Sequence, residues 1–145
     1  MATVNCESQS VQNYLNILQS VINRMATNSS NCKTWCITLV SAIIVIIADK
    51  SNPVYIYIAL VPMILFLFLD CYYLGLEKQF RNLYNKFIEK IHSDNVTIND
   101  LFILDPGNKK EKFGASLKAF KSSSIWPFYL LLSLMLIIVH KFILN

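Results

Sequence analysis

Charge is missing from this chain where it is most apolar. Three stretches, 35–48, 54–69 and 125–139, contain no Asp, Glu, Lys or Arg. Over the whole chain only 15% of residues are charged and 54% are hydrophobic. Ordinary soluble domains carry about 25% charged and about 45–50% apolar residues. Three glycines and four prolines in 145 residues exclude a loop-rich or low-complexity protein. There is no glycine-rich phosphate loop, no Ser/His/Asp arrangement and no pair of carboxylates suited to acid–base work. No enzyme and no cofactor are expected. Two histidines, His92 and His140, are too few and too far apart to complete a metal site with the cysteines.

What remains is a mean hydropathy of +0.45 concentrated in those three stretches. Each is shorter than the roughly 20 residues of a full membrane span. Three of them in so small a chain still leave too little polar surface to cover them in water. The expected class is an all-α membrane protein. The first stretch follows a polar, amphipathic segment and has no small-residue cleavage pattern after it, so it is not read as a signal peptide. No lipidation motif is visible.

Basic residues set an orientation. Nine of the thirteen Lys and Arg fall between residues 71 and 123: Lys78, Arg81, Lys86, Lys90, Lys109, Lys110, Lys112, Lys118 and Lys121. The turn 49–53 has Lys50 alone, offset by Asp49. The long segment is therefore placed in the cytoplasm, the turn outside, the N-terminus inside and the C-terminus outside. The expected location is a multi-pass protein of the bacterial inner membrane. Trp35 and Trp126 then fall at the inner interface, where Trp is favoured. Cys6, Cys32, Cys36 and Cys71 lie at or inside the cytoplasmic face, where disulfides are rare, and read as small buried residues. The sequons at Asn28 and Asn95 face the cytoplasm and carry no glycan in this topology.

Lys33 and Asp70 lie at nearly equal distances from the turn 49–53. Folding back there as an antiparallel hairpin brings them to one depth, together with Cys32 and Cys71. Extending both helices inward places 11–25 opposite 78–92. Both segments carry apolar stripes at helical spacing, so they are expected to pair as a cytoplasmic stalk; lying flat on the inner leaflet is the competing reading. The polar run 27–31 is either a short break or a solvated helical turn. Ser51 or Asn52 caps the second helix, Pro53 fits its first turn, and Pro62 kinks it. The predicted organisation is a hairpin over 8–92, with spans near 35–48 and 54–69 and a stalk 8–31/71–92. A basic cytoplasmic connector follows over 93–123, and then a third transmembrane helix over 124–145. Within the connector, Thr97 and Asp100 can cap a short helix, although a short strand fits equally well, and 105–108 is a turn.

Four groups of residues are candidates for function. Lys33, Asp70, Glu77 and Arg81 form a register or gating network; with water close, the Lys33–Asp70 pair is expected to set register more than stability. Thr34, Thr38 and Ser41 make a small polar face that either packs the hairpin internally or lines a pore or subunit contact. Lys109, Lys110, Lys112, Lys118 and Lys121 touch anionic lipid or bind an anionic ligand, a nucleotide or RNA. Phe80, Tyr84 and Phe87 are the stalk contact, within the hairpin or toward a partner. The absence of mid-span charge argues against proton relays and secondary transport.

The segments Lys33-Thr-Trp-Cys-Ile-Thr-Leu39, Asp70-Cys-Tyr-Tyr-Leu-Gly-Leu-Glu-Lys-Gln-Phe-Arg-Asn-Leu-Tyr84 and Ser124-Ile-Trp-Pro-Phe-Tyr129 carry a resemblance. They resemble small bacterial membrane proteins with a K-x-W-x-I-T-L first span and a D-x-Y-Y-L-x-x-E-x-x-F-R-x-L-Y exit from the second. Such proteins are associated with anti-phage defence loci, including retron and nucleotide-signalling systems, as membrane effectors. The resemblance implies an abortive-infection effector that oligomerises or rearranges on a trigger and disrupts the membrane. The implied partners are the lipid bilayer, further copies of the chain, and a cytoplasmic regulatory protein, retron nucleic acid or nucleotide signal from the same locus. The alternative is a non-catalytic anchor or accessory subunit whose stalk docks a cytoplasmic partner.

Overall fold

The computed structural model describes residues 8–50, 55–93 and 95–142, without the side chains at 49, 50, 109 and 112. It is all-helical, with no strand among the described residues. Four α-helices run in order: α1 Gln9–Lys50, α2 Ile56–His92, α3 Lys109–Phe120 and α4 Trp126–Phe142. At 1.5 Å per residue α1 and α2 are about 63 and 55 Å long. The expected caps Ser51 and Asn52, with Pro53, lie outside the described residues, as do Cys6, Ile143 and Leu144.

α1 and α2 form the antiparallel hairpin that the sequence predicts, and two core clusters divide its length. In one, α1 contributes Cys36, Val40 and Ile47 and α2 contributes Ile56, Ala59, Cys71 and Leu74. Ile125, just before α4, and Tyr129, Leu132, Leu136 and Val139 of α4 add one face to the same cluster. Their spacing of three and four is that of a helix with a single packed stripe. In the other, Val11, Tyr14 and Leu18 meet Phe87, with Phe80, Leu83, Tyr84 and Ile91 packed around them. The stalk pairing is thus present. Its register drifts slightly: the mirror through Lys33 and Asp70 puts residue 89 opposite Tyr14, whereas the ring stacked edge-on against Tyr14 at 4.7 Å is Phe87. Two residues are about 3 Å along a helix, within side-chain reach.

The polar run 27–31 is a continuous part of α1. α2 likewise continues through Pro62. The connector is less irregular than its composition suggests. Thr97 and Asp100 do bracket a single 3₁₀ turn, Ile98–Asp100, with the Asp100 carboxylate accepting from the Thr97 amide at 3.0 Å and its hydroxyl at 2.8 Å. Lys90 adds a contact to Asp100 at 2.5 Å, tying the turn to α2. The turn at 105–108 is present: the Gly107 amide donates to Asp105 Oδ1 at 3.2 Å, and Gly107 takes φ 133°, which favours glycine. The sequence reading misses α3. Asn108 caps it, and the Glu111 carboxylate accepts from the Asn108 amide at 3.2 Å, a capping box written plainly as N-x-x-E.

α3 lies against α2. They come close at Gly75, where an added Cβ would sit 2.8 Å from the backbone of Ser116. Glycine is required here by contact, not by dihedral angle. Ala119 of α3 is fully buried in the cluster that holds Cys71, Leu74 and Ile125. α3 therefore adds a third helix, packed on α2, to the part of the hairpin that the sequence predicts as a two-helix stalk.

Candidate functional site

Asp70 is the one acidic side chain with no exposed surface among the described residues. Lys33 on α1 brings its ammonium to 2.6 Å from Oδ2. That approach is ionic and not a directed hydrogen bond, since Oδ2 accepts none of standard geometry. Ser29, one turn earlier on α1, donates its hydroxyl to Oδ1, and Lys33 reaches the same hydroxyl oxygen at 3.4 Å. The Tyr129 hydroxyl of α4 is buried beside Asp70, close enough to interact with its carboxylate. One carboxylate thus joins α1 and α2 directly and borders α4. Asp70 is buried among apolar neighbours, so the small energy of a water-exposed pair expected from the sequence does not apply. Breaking such a pair leaves an uncompensated charge.

The sequence points to Lys33 and Asp70 but not to Ser29 or Tyr129. The signal for Ser29 was its i, i+4 spacing from Lys33. The polar run around it reads as solvent-facing, yet Ser29 is turned inward. Cys32, Cys36 and Cys71 are free thiols buried around Asp70. Burial first, and then the Asp70 charge, push the Cys32 thiol above its ordinary range, which makes it a poor nucleophile. Among the described residues no three His, Cys, Asp or Glu side chains converge as metal ligands.

Other candidates separate. Glu77 and Arg81 pair with each other at 2.7 Å along the surface of α2 and do not join the Lys33–Asp70 network. Thr34, Thr38 and Ser41 are exposed, so they do not pack the hairpin internally. Helical geometry turns them away from α2, and Thr34 and Thr38 donate their hydroxyls to backbone carbonyls one turn earlier at 3.3 and 2.8 Å. Phe80, Tyr84 and Phe87 are spent on the stalk core, with Phe87 fully enclosed. Tyr14 is held there too: its hydroxyl donates to the Ile103 carbonyl at 2.6 Å, and burial, followed by the Asp100 charge, raises its pKa.

Of the predicted basic cluster, three side chains are described. Lys110 and Lys121 are exposed, and the side chains of Lys109 and Lys112 lie outside the described residues. Lys118 lines a cleft between α2 and α3 together with Lys78 and Lys86 of α2, which the sequence reading did not group with it. Comparison of the chain with protein-family models, curated proteins and solved structures gives no match.

Proposed function

We propose that this chain is a bacterial inner-membrane effector of an anti-phage defence system, held quiet by the Lys33–Asp70 lock. Opening the lock on a trigger lets the hairpin and α4 rearrange or assemble with further copies and compromise the membrane. The observation that carries the reading is a fully buried, charge-paired Asp70 at the junction of three helices. A charge in that position is stable while paired and costly once unpaired, which is the property of a two-state latch.

Membrane insertion is supported by how little the apolar helices bury. In α1 and α2 the most apolar windows are only 22% and 28% buried, where a soluble core helix would be mostly covered. Val45, Ile46, Val61, Leu65, Phe68, Leu131 and Ile137 all point outward. α4, with 17 residues, is about 26 Å long. The hydrocarbon core is about 30 Å thick, so a short span favours local thinning or oligomerisation. The reading keeps the N-terminus inside, the C-terminus outside and three spans. The exposed Thr34, Thr38 and Ser41 then form the face on which further copies approach.

Expression of the chain in bacteria, with membrane potential and growth followed together, tests the proposal. Lys33→Asp should depolarise cells without a trigger, and Lys33→Asp with Asp70→Lys should restore quiescence. Depolarisation by neither single nor triggered wild-type protein would refute it. One observation favours the accessory-subunit alternative: Phe113 of α3 is 68% exposed, with Leu117 one turn on and Ile98 and Phe102 in the connector also uncovered. A partner docked there would bind without any permeability change.

A further inference from the structure

We propose that the groove between α2 and α4 binds one molecule of an uncharged isoprenoid lipid of the quinone class, its ring near His140 and its tail toward Trp126. The proposal rests on insertion of α2 and α4 in the bilayer, but not on the Lys33–Asp70 lock or on the effector reading.

α4 packs on the hairpin through one stripe, Tyr129, Leu132, Leu136 and Val139. Beside that stripe, two cavities of about 330 and about 300 Å³ lie between α4 and α2. Ser133 lines both, so they form one groove with this serine at its waist. The inner cavity reaches Trp126 and the outer one His140. Each is at the lower end of the roughly 300–1,000 Å³ of small-molecule sites.

Width is the first property that selects the occupant. Trp126 and His140 are about 21 Å apart along α4. The two volumes spread over that length give a mean cross-section of about 30 Å², a channel about 6 Å wide. A helix with its side chains is about 10–12 Å across, so a helix of a second copy does not fit. One hydrocarbon chain does, since its carbons approach their neighbours at about 3.5–4.0 Å.

Length is the second. Half of the hydrocarbon core is about 15 Å, so a groove of about 21 Å crosses the midplane. The acyl chains of a phospholipid are tied by a charged head to one leaflet. An isoprenoid tail with an uncharged head has no such tether.

The third is the polar chemistry at the outer end. Among the described residues no Lys, Arg, Asp or Glu lines either cavity, so nothing there pairs with a phosphate. The Ser133 hydroxyl is spent on the Tyr129 carbonyl at 2.8 Å. His140 Nδ1, by contrast, is buried without a hydrogen-bond partner among the described residues. Buried polar atoms are nearly always satisfied. An imidazole nitrogen donates to a carbonyl or accepts from a hydroxyl, the groups that a quinone and its reduced form carry. Tyr57 lines the same cavity and offers an aromatic face to a flat ring.

The test uses the full chain in nanodiscs of zwitterionic phospholipid. Incorporation is measured first, by co-elution with the disc, so failed insertion and failed binding are read separately. The chain holds two histidines, His92 and His140, and NMR of isotope-labelled imidazoles reports each. Titration with a menaquinone bearing four isoprene units should move His140 saturably and leave His92 unmoved. Menadione, the same ring without the tail, should bind at least about tenfold more weakly. Ser133→Phe, which blocks the waist, should weaken menaquinone binding at least about tenfold with helix content kept. Ile43→Phe, in the separate groove between α1 and α2, should change it less than about twofold. No saturable shift of His140, equal movement of His92, equal affinity for menadione, or unchanged affinity in Ser133→Phe would overturn the proposal. A His140 shift that follows the phospholipid chain length without any quinone would give the groove to phospholipid and overturn it too.

Discussion

Removing either partner of the Lys33–Asp70 pair should destabilise the chain, but not equally. Asp70 has no exposed surface, whereas the Lys33 side chain is 20% exposed. Lys33→Met leaves the carboxylate enclosed, with the Ser29 hydroxyl and the nearby Tyr129 hydroxyl to hold it. Breaking a buried pair from one side costs about 3–5 kcal/mol, and Ser29 places this case near 3. Asp70→Asn leaves a lysine that can swing its ammonium to water, and an amide oxygen that still accepts from Ser29. That variant should lose about 1–2 kcal/mol, at the low end of the about 1.5–3 kcal/mol that a hydrogen bond to a charged group is worth. The double variant Lys33→Met with Asp70→Leu removes both charges and should lie within about 1 kcal/mol of wild type. The coupling energy is then roughly 3 kcal/mol, the upper end of what contacting residues show. Equilibrium unfolding in mixed micelles with increasing SDS, followed by fluorescence of Trp35 and Trp126, measures all four forms. Equal losses from the two single variants, or a double variant that loses their sum, would refute the assignment of Asp70 as the enclosed member.

Gly75→Ala should be destabilising although alanine favours helix: separating α2 from Ser116 costs about 1–3 kcal/mol against a gain of about 1, and protection of α3 amides from hydrogen exchange should fall. Gly114→Ala, with open space around it, should stabilise by up to about 1 kcal/mol, measurable in the same SDS titration. Tyr14→Phe should cost about 1 kcal/mol by leaving the Ile103 carbonyl without its donor, with proteolysis of the connector as readout. The connector should also loosen in acid. Hydrogen bonds from Lys90 and then from Thr97 hold the Asp100 carboxyl down to about 2, below the unfolded value of about 3.9. Its contribution is present above that unfolded value and is lost as pH falls through about 2. Acid-stable protease should therefore cut the wild-type connector faster as pH falls through this window, while Asp100→Asn is cut fast throughout.

The hairpin was legible because its signals are periodic and long. Two apolar stretches, a polar turn between them and one residue of each charge at equal distance leave few alternatives. The stalk was legible for the same reason: Tyr14, Leu18, Phe80 and Phe87 repeat at helical spacing. α3 was missed because its lysines dominate the reading, although Asn108 and Glu111 spell its start. The placement of Lys78, Lys86 and Lys118 around one cleft could not be read, because it depends on how α3 folds back. Gly75 permits the close contact there, and a lone glycine in a helix looks like any other. Ser29 shows the opposite limit. Polar neighbours suggest water, and only the position of Asp70 on the other helix reveals that the hydroxyl points inward.

α1 contains neither glycine nor proline and runs 42 residues without interruption. α2 carries both Pro62 and Gly75, on either side of Asp70. The two rods therefore differ in mechanical character. A twist applied near Tyr14 is carried along α1 to Val40 with little loss, while α2 can absorb the same twist by bending at Pro62. Lys33 and Asp70 sit where the stiff rod is fastened to the compliant one. A rotation of the stalk would load that fastening before it reaches the flexible point at Pro62.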